Sequence, residues 1–325
     1  MDKVRLGMTD LEVSPICFGT WQLGGDWGDF DERDAIAAIR HALQLGVTIF
    51  DTAQAYGFGA SERLLGRALA PVLRWRRDDV TIATKGGLRP DGRGGVVRDA
   101  SPEWLRAGVE QSLQALGTDH IDLYQLHWPD PTVPVAESAG ALQDLVDEGK
   151  IRHVGVSNFD ASQMAVFART RPVETLQPPY HLFRRDIEGG VLPYCSEHDI
   201  GVLVYGPLAH GLLTGTIDVE TTFEPGVWRG SSPMFRGDAL RRNVDAVRRL
   251  GEHARELGTT VSALAIAWTL AHPAVDVAIV GARRADHIED SVGAAALWLA
   301  EVDLDEIDAI MHGTVGVGGP TPESV

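Results

Sequence analysis

Four residue types able to move a proton stand just beyond short apolar runs in this sequence. Asp51 follows VTIF, with Tyr56 five residues further on; Lys85 follows VTIAT; His127 follows IDLYQL. A free tyrosine, with a pKa of about 10, holds its proton too tightly to be an ideal acid near neutrality. A nearby ammonium stabilises the phenolate and lowers that pKa. A carboxylate paired with the lysine holds it in place and offsets its burial. An imidazole beside the phenol orients a carbonyl by a hydrogen bond. Taken singly, each has a plainer reading: a packed tyrosine, an aspartate cap, a surface lysine, a core histidine. Together they make a site that protonates a carbonyl oxygen while a hydride reaches the carbon. None of the four supplies a hydride, so a nicotinamide cofactor is implied.

The elements that must position these residues alternate along the chain. A polar–apolar stretch, VRLGMTDLEVS, reads as a β-hairpin, and ICFG as a first core strand. DERDAIAAIRHALQLG carries apolar residues at helical spacing, with Gly46 as a stop. Strands in VTIFDT, VTIATK, IDLYQLH, IRHVGVS, VETLQ, IGVLVYG and AVDVAIVG follow, separated by helical patterns. SPEWLRAGVEQSLQALG predicts a helix capped by Ser101, opened by Pro102 and stopped by Gly117. GGLRPDGRGG reads as a loop, and residues 238–272 hold two helical patterns in a row.

This order predicts an α/β fold: a (β/α)8 TIM barrel with an N-terminal β-hairpin as a plug and a long loop, residues 209–237, after strand 7. In such a barrel the loops at the carboxyl ends of the strands gather round one site. One domain over residues 1–325 is expected, with a flexible tail from about 312. A doubly wound open sheet is the alternative, but FGTWQLGG has its glycines at the wrong spacing for the dinucleotide turn.

Composition narrows the partners. Of 325 residues, 44% are hydrophobic and 23% charged, ample for a globular core. The 29 basic against 46 acidic residues leave a net charge of −17. Phosphate binding needs a basic face, so nucleic acid and anionic membrane surfaces are not expected as partners. Cys17 and Cys195 are the two cysteines, with no CxxC pair. MDKVRLGMTDLEVS has no apolar signal core, and no apolar run reaches membrane-spanning length; a cytoplasmic protein is the expectation.

The pieces FGTWQLGG, FDTAQAYGFGASERLLGRAL, TIATKGG, IDLYQLHWPD, IRHVGVSNF, LVYGPLAHGLLTG and VAIVGARRADHIEDS, in this order, resemble the aldo-keto reductase family over nearly the whole chain. The resemblance implies a barrel that binds NAD(P)H without a Rossmann domain. It makes Tyr56 the general acid, Lys85 and Asp51 its tuning pair, and His127 the residue that orients the substrate. Gly19, Thr20, Trp21 and Asp51 are then placed near the nicotinamide, Ser157, Asn158 and Gln177 on its carboxamide, and Tyr205 against its ring. Gly206, Pro207 and Leu208, with Leu213 and Gly215, are placed along the pyrophosphate. Gly281, Arg283, His287, Asp290 and Ser291 fall at the adenosine end. A guanidinium matches a phosphate bidentately, so Arg283 favours NADPH, with NADH as the alternative. His287 and Ser291 depart from the Gln or Arg and the Asn that similar sequences carry there.

For substrate, Trp21, Trp27, Tyr56, His127 and Trp128 are the expected pocket, and Tyr180, Phe183 and Trp228 are further aromatics near loops that could wall it. Asp26 and His181 would add polar contacts for a sugar or polyol, which keeps NADP-dependent oxidation open as the reverse direction. A small-molecule carbonyl is the expected partner. A Schiff-base lyase using Lys85 and a non-catalytic nucleotide-binding subunit are remoter readings. His120 and His127 lack the spacing of a metal pair, so no metal is expected. Oligomeric state has no signature here.

Overall fold

A computed structural model describes residues 1–25, 30–223, 228–230 and 232–321 of the protein. Eight strands close a parallel barrel: β1 (Ile16–Gly19), β2 (Ile49–Asp51), β3 (Thr81–Gly86), β4 (Ile121–Leu126), β5 (Ile151–Ser157), β6 (Thr175–Gln177), β7 (Gly201–Tyr205) and β8 (Val277–Gly281). Each pairs with its neighbour in sequence, and β8 returns to β1 through Ala278 opposite Ile16. The expected TIM barrel is therefore the fold.

The strands are largely apolar because most of their residues are buried on both faces of the barrel wall. Cys17, Ile49, Ala83, Leu123, Leu203 and Val277 turn inward and fill the barrel. Phe18, Phe50, Ile82, Tyr124 and Val202 turn outward under the helices. A hairpin of Val4–Arg5 and Glu12–Val13 closes the floor, adding Leu6, Leu11 and Val13 to the interior cluster. Its turn is tied to the barrel by Asp10, which accepts hydrogen bonds from Arg152 (3.2 Å) and His153 (2.8 Å).

The helices between strands are α1 (Glu32–Gln44), α2 (Ala60–Trp75), α3 (Pro102–Leu116), α4 (Val135–Asp147), α5 (Ala161–Phe167) and α6 (Val191–Glu197). Then come α7 (Gly237–Glu256) and α8 (Val261–Ala271), the expected consecutive pair, followed by α9 (Ala285–Gly293) and α10 (Glu301–Met311). At α3 the Ser101 side chain accepts from Trp104 N–H, Pro102 opens the helix, and Gly117 ends it at φ 70°, as the cap pattern predicts. None of the described helices is long and apolar enough to cross a membrane.

Three features differ from the sequence reading. The stretch taken as a loop after Lys85 forms a second hairpin, Leu88–Pro90 with Val96–Arg98. Asp91 builds its turn by accepting from Arg93 N–H (2.7 Å) and Gly95 N–H (2.9 Å). The helix α10 was not expected at all. Third, composition reads the segment after residue 312 as flexible, yet residues 315–317 are docked: Asn243 exchanges two hydrogen bonds with the Val315 backbone (2.9 and 2.8 Å), and Val317 is buried.

Candidate active site

Asp51, Tyr56, Lys85 and His127 converge at the carboxyl ends of β2, β3 and β4. Lys85 is fully buried, and its ammonium donates to Asp51 Oδ2 (2.6 Å), to the Thr52 carbonyl (2.8 Å) and to the Tyr56 hydroxyl (3.3 Å). An ammonium has three protons, and all three are used. A buried charge is tolerated under such terms: a paired carboxylate, with further acceptors satisfying what the pair leaves over. The His127 ring stands edge-on to Tyr56, with centroids 5.8 Å apart. Burial, reinforced by the Lys85 charge, holds the imidazole well below its ordinary pKa, so it is neutral. The sequence-predicted quartet is thus one contiguous group.

Asp51 reaches across the barrel as well. Its Oδ1 accepts from Gln177 Nε2 (2.8 Å), so one carboxylate holds both the lysine and the residue expected to bind a carboxamide. Gln177 also accepts, at its carbonyl, from Ser157 Oγ (2.8 Å). Asn158 donates to the His127 carbonyl and to Ser157 Oγ (both 3.1 Å), and accepts from the Tyr205 hydroxyl (2.9 Å). Asn158 manages this from φ 61°, the left-handed region that asparagine tolerates. Tyr205 is thereby anchored at its hydroxyl; burial first, then the neighbouring Tyr56, pushes its phenol pKa up. Gln125, which sequence reasoning passed over, lies within 3.4 Å of Gln177.

Other expected cofactor residues fall into two groups. Trp21 faces the site, its ring stacked on Tyr56 at 6.3 Å. Gly206 presents open backbone, since a Cβ there would meet nothing within 4 Å. Arg283 follows the end of β8, half-buried and near Arg229, whose pKa is lowered by burial and then by the Arg283 charge. In contrast, Thr20 is fully buried, its N–H and hydroxyl both turned to the Asp51 carbonyl. Gly19 pairs with Asp51 in the sheet. Leu213 is core, and its N–H is taken by the Leu208 carbonyl. Pro207 is buried, Leu208 half-buried, and Gly215 ends a short helical turn at Thr214. At the far end His287 is exposed and Gly281 closes β8. Asp290 accepts from the Thr260 hydroxyl (2.7 Å), and Ser291 turns its hydroxyl to the His287 carbonyl of its own helix (3.3 Å).

The pocket walls need correction. Trp128 sits at the rim under the Arg98 guanidinium (5.1 Å), and Trp228 packs against His210 (4.9 Å), which in turn touches Trp21 (6.4 Å). Trp27 and Asp26 lie outside the described residues. Tyr180 and Phe183, however, are core: Tyr180 stacks on Trp268 at 5.0 Å and donates to Glu188, and both are at most 5% exposed. A loop aromatic beside a barrel has the outer helices as well as the mouth to pack against, and Tyr180 takes α8 through Trp268. His181 is buried and edge-on to His210 at 6.1 Å.

Comparison with known proteins bears on the family and the fold. A sequence model of the Aldo/keto reductase family matches residues 15–312. The chain is 41% identical to aldo-keto reductase YhdN of Bacillus subtilis (strain 168), over 97% of this chain and 95% of that one. It is 33% identical to the NADH-specific methylglyoxal reductase of Escherichia coli (strain K12), over 93% and 96% of the two chains. Among solved structures, glycerol dehydrogenase AKR11B4 from Gluconobacter oxydans superposes with a TM-score of 0.89 at 37% identity, covering 98% of this chain and 97% of that one. The chain belongs to the aldo/keto reductase family and is an NAD(P)H-dependent oxidoreductase.

Proposed function

We propose that the protein reduces an aldehyde or ketone to an alcohol with NADPH, and that Tyr56 supplies the proton. The observation that carries this is the Lys85 ammonium, fully buried and hydrogen-bonded to both Asp51 and the Tyr56 hydroxyl. A positive charge in that position favours the phenolate, which makes the phenol a better acid near neutrality. Neutral His127 holds the carbonyl oxygen beside the phenol, and Trp21 and Trp128 bound the substrate. The Lys85–Asp51 pair keeps the ammonium fixed as the proton leaves Tyr56.

The residues suit a nicotinamide dinucleotide along its length. Ser157, Asn158 and Gln177 form a linked set of hydroxyl and amide groups for a carboxamide. Tyr205 offers an aromatic face, Gly206 an open backbone beside Pro207 and Leu208, and Arg283 with Arg229 paired guanidiniums for phosphate. The bound cofactor supplies the hydride. Gly281, His287 and Asp290 border the same end. Thr20, Leu213 and Ser291 support this groove from within the protein.

Lyase chemistry at Lys85 is disfavoured because all three ammonium protons are engaged inside the protein. The reverse reaction, oxidation of a polyol, uses the same groups with Tyr56 as phenolate; the likeness to a glycerol dehydrogenase favours it as the second reading.

The test is loss of nicotinamide absorbance when purified protein meets NADPH and a panel of aldehydes, ketones and hydroxycarbonyls. Turnover with at least one carbonyl is expected, and Tyr56→Phe should lower kcat by at least about 100-fold. Full activity in Tyr56→Phe would show that another group donates the proton.

A further inference from the structure

The ring of His210 is a meeting point of segments far apart in the chain. It stands edge-on to Trp21, which follows β1 (centroids 6.4 Å), to His181, which follows β6 (6.1 Å), and to Trp228 (4.9 Å). The tail reaches it too: a Cβ on Gly319 would lie 3.0 Å from its Cε1 and 3.1 Å from its Nε2. His210 is only 9% exposed. Burial first, then the charges of Arg184 and Arg229, lowers its pKa to about 4, so near neutrality the ring packs without charge.

The backbone beneath this ring is unusual. Ala209, His210 and Gly211 lie at φ 47°, 57° and 96°, left-handed residues in succession. That region is costly for a residue with a Cβ, and the cost persists where the surroundings over-determine the conformation, most often at functional sites. Here they do so. The Ala209 N–H donates to the Gly206 carbonyl (2.9 Å), the Gly211 N–H to the Leu208 carbonyl (3.0 Å), and the Arg229 guanidinium to the His210 carbonyl (3.1 Å). The fixed run sets the His210 ring against Trp21, whose other ring neighbour is Tyr56, stacked at 6.3 Å. Trp21 is half-buried, and a wall of that kind keeps its angle only if something stands behind it. We propose that His210 is a specificity-determining positioning residue: its ring braces Trp21 against Tyr56 and thereby fixes the width of the substrate pocket.

The inference rests on the reading of Trp21 and Tyr56 as parts of a carbonyl-reducing site, so one arm of its test needs no substrate. In the first arm, kcat/KM with NADPH is compared for propanal and 2-naphthaldehyde, because a general loss of active protein lowers both alike. His210→Asn keeps a residue that tolerates the left-handed backbone and removes the ring. It should move the ratio toward the larger aldehyde by at least about 10-fold. His210→Phe, which keeps a ring, should stay near the wild-type ratio. Gly319→Ala presses on the ring from the tail; it should change the ratio several-fold in wild type and not at all in His210→Asn. An unchanged ratio in His210→Asn, an equal shift in His210→Phe, or an effect of Gly319→Ala that survives loss of the ring overturns the proposal. In the second arm, Trp21 emission is taken as each protein minus its own Trp21→Phe counterpart. It should move to longer wavelength in His210→Asn as the indole gains water, and an unmoved emission also overturns the proposal. Failure of wild type to reduce either aldehyde would count against the reductase reading and leave the emission to decide this one.

Discussion

In the proposed mechanism His127 works as a neutral donor or acceptor, because burial and the Lys85 charge keep a second proton off its ring. Its protonation therefore contributes no acid limb in the usual histidine range. For carbonyl reduction, kcat/KM should stay flat between about pH 5.5 and 7.5. A limb near pH 6.5 that disappears in His127→Asn would contradict this. In the proposed reading Arg283 binds the 2′-phosphate, and cofactor choice turns on it. Arg283→Ala should raise the KM for NADPH by about 10–100-fold, the worth of a charged hydrogen bond, and change that for NADH far less. An equal change for both cofactors would remove Arg283 from the 2′-phosphate. The convergence of Asp51, Tyr56, Lys85 and His127 was legible in the sequence because a polar residue just past a strand buried on both faces has the mouth of the barrel as its place. The contact between Asp51 and Gln177 was not, since it joins residues 126 positions apart across the barrel.

Strands and capped helices were the legible elements, and short polar segments were not. Ser101, Pro102 and Gly117 announce α3 because caps act on their own neighbours. The hairpin after β3 hides in GGLRPDGRGG because its register depends on Asp91 binding two backbone N–H groups, a contact with no apolar periodicity. Tyr180 and Phe183 were misplaced because a ring in a loop carries no mark of which neighbour it will meet. The floor hairpin makes its own prediction. His153 lies between Glu174 (2.6 Å) and Asp10 (2.8 Å), and these carboxylates raise its pKa against the opposing effect of burial. A histidine held above its unfolded value of about 6.5 stabilises the fold below that pH and ceases to do so as pH rises through the raised value. His153→Gln should therefore lower Tm at pH 6 and much less at pH 9. Equal losses at both pH values in thermal melts would exclude the ion pairs as the cause.

At the scale of the whole molecule, the docked tail ties the last helix to the barrel top. Asn243 is fully buried and holds Val315 twice, while Val317 donates to the Phe183 carbonyl (3.1 Å). Asn243→Ala leaves two half-buried backbone groups of Val315 without their side-chain partner and should cost about 1–3 kcal/mol, a Tm drop of roughly 1–5 °C for a chain of this length. Calorimetry showing no change would mean that the tail is detached in solution. The barrel itself has one open end. Leu6, Leu11 and Val13 seal the other, and inward side chains fill the space between. Traffic through a dead-end cleft keeps an order: the ligand that seats deeper must arrive first and leave last. Steady-state kinetics should accordingly follow a compulsory sequence, with one product released before the other, because two visitors share a single doorway.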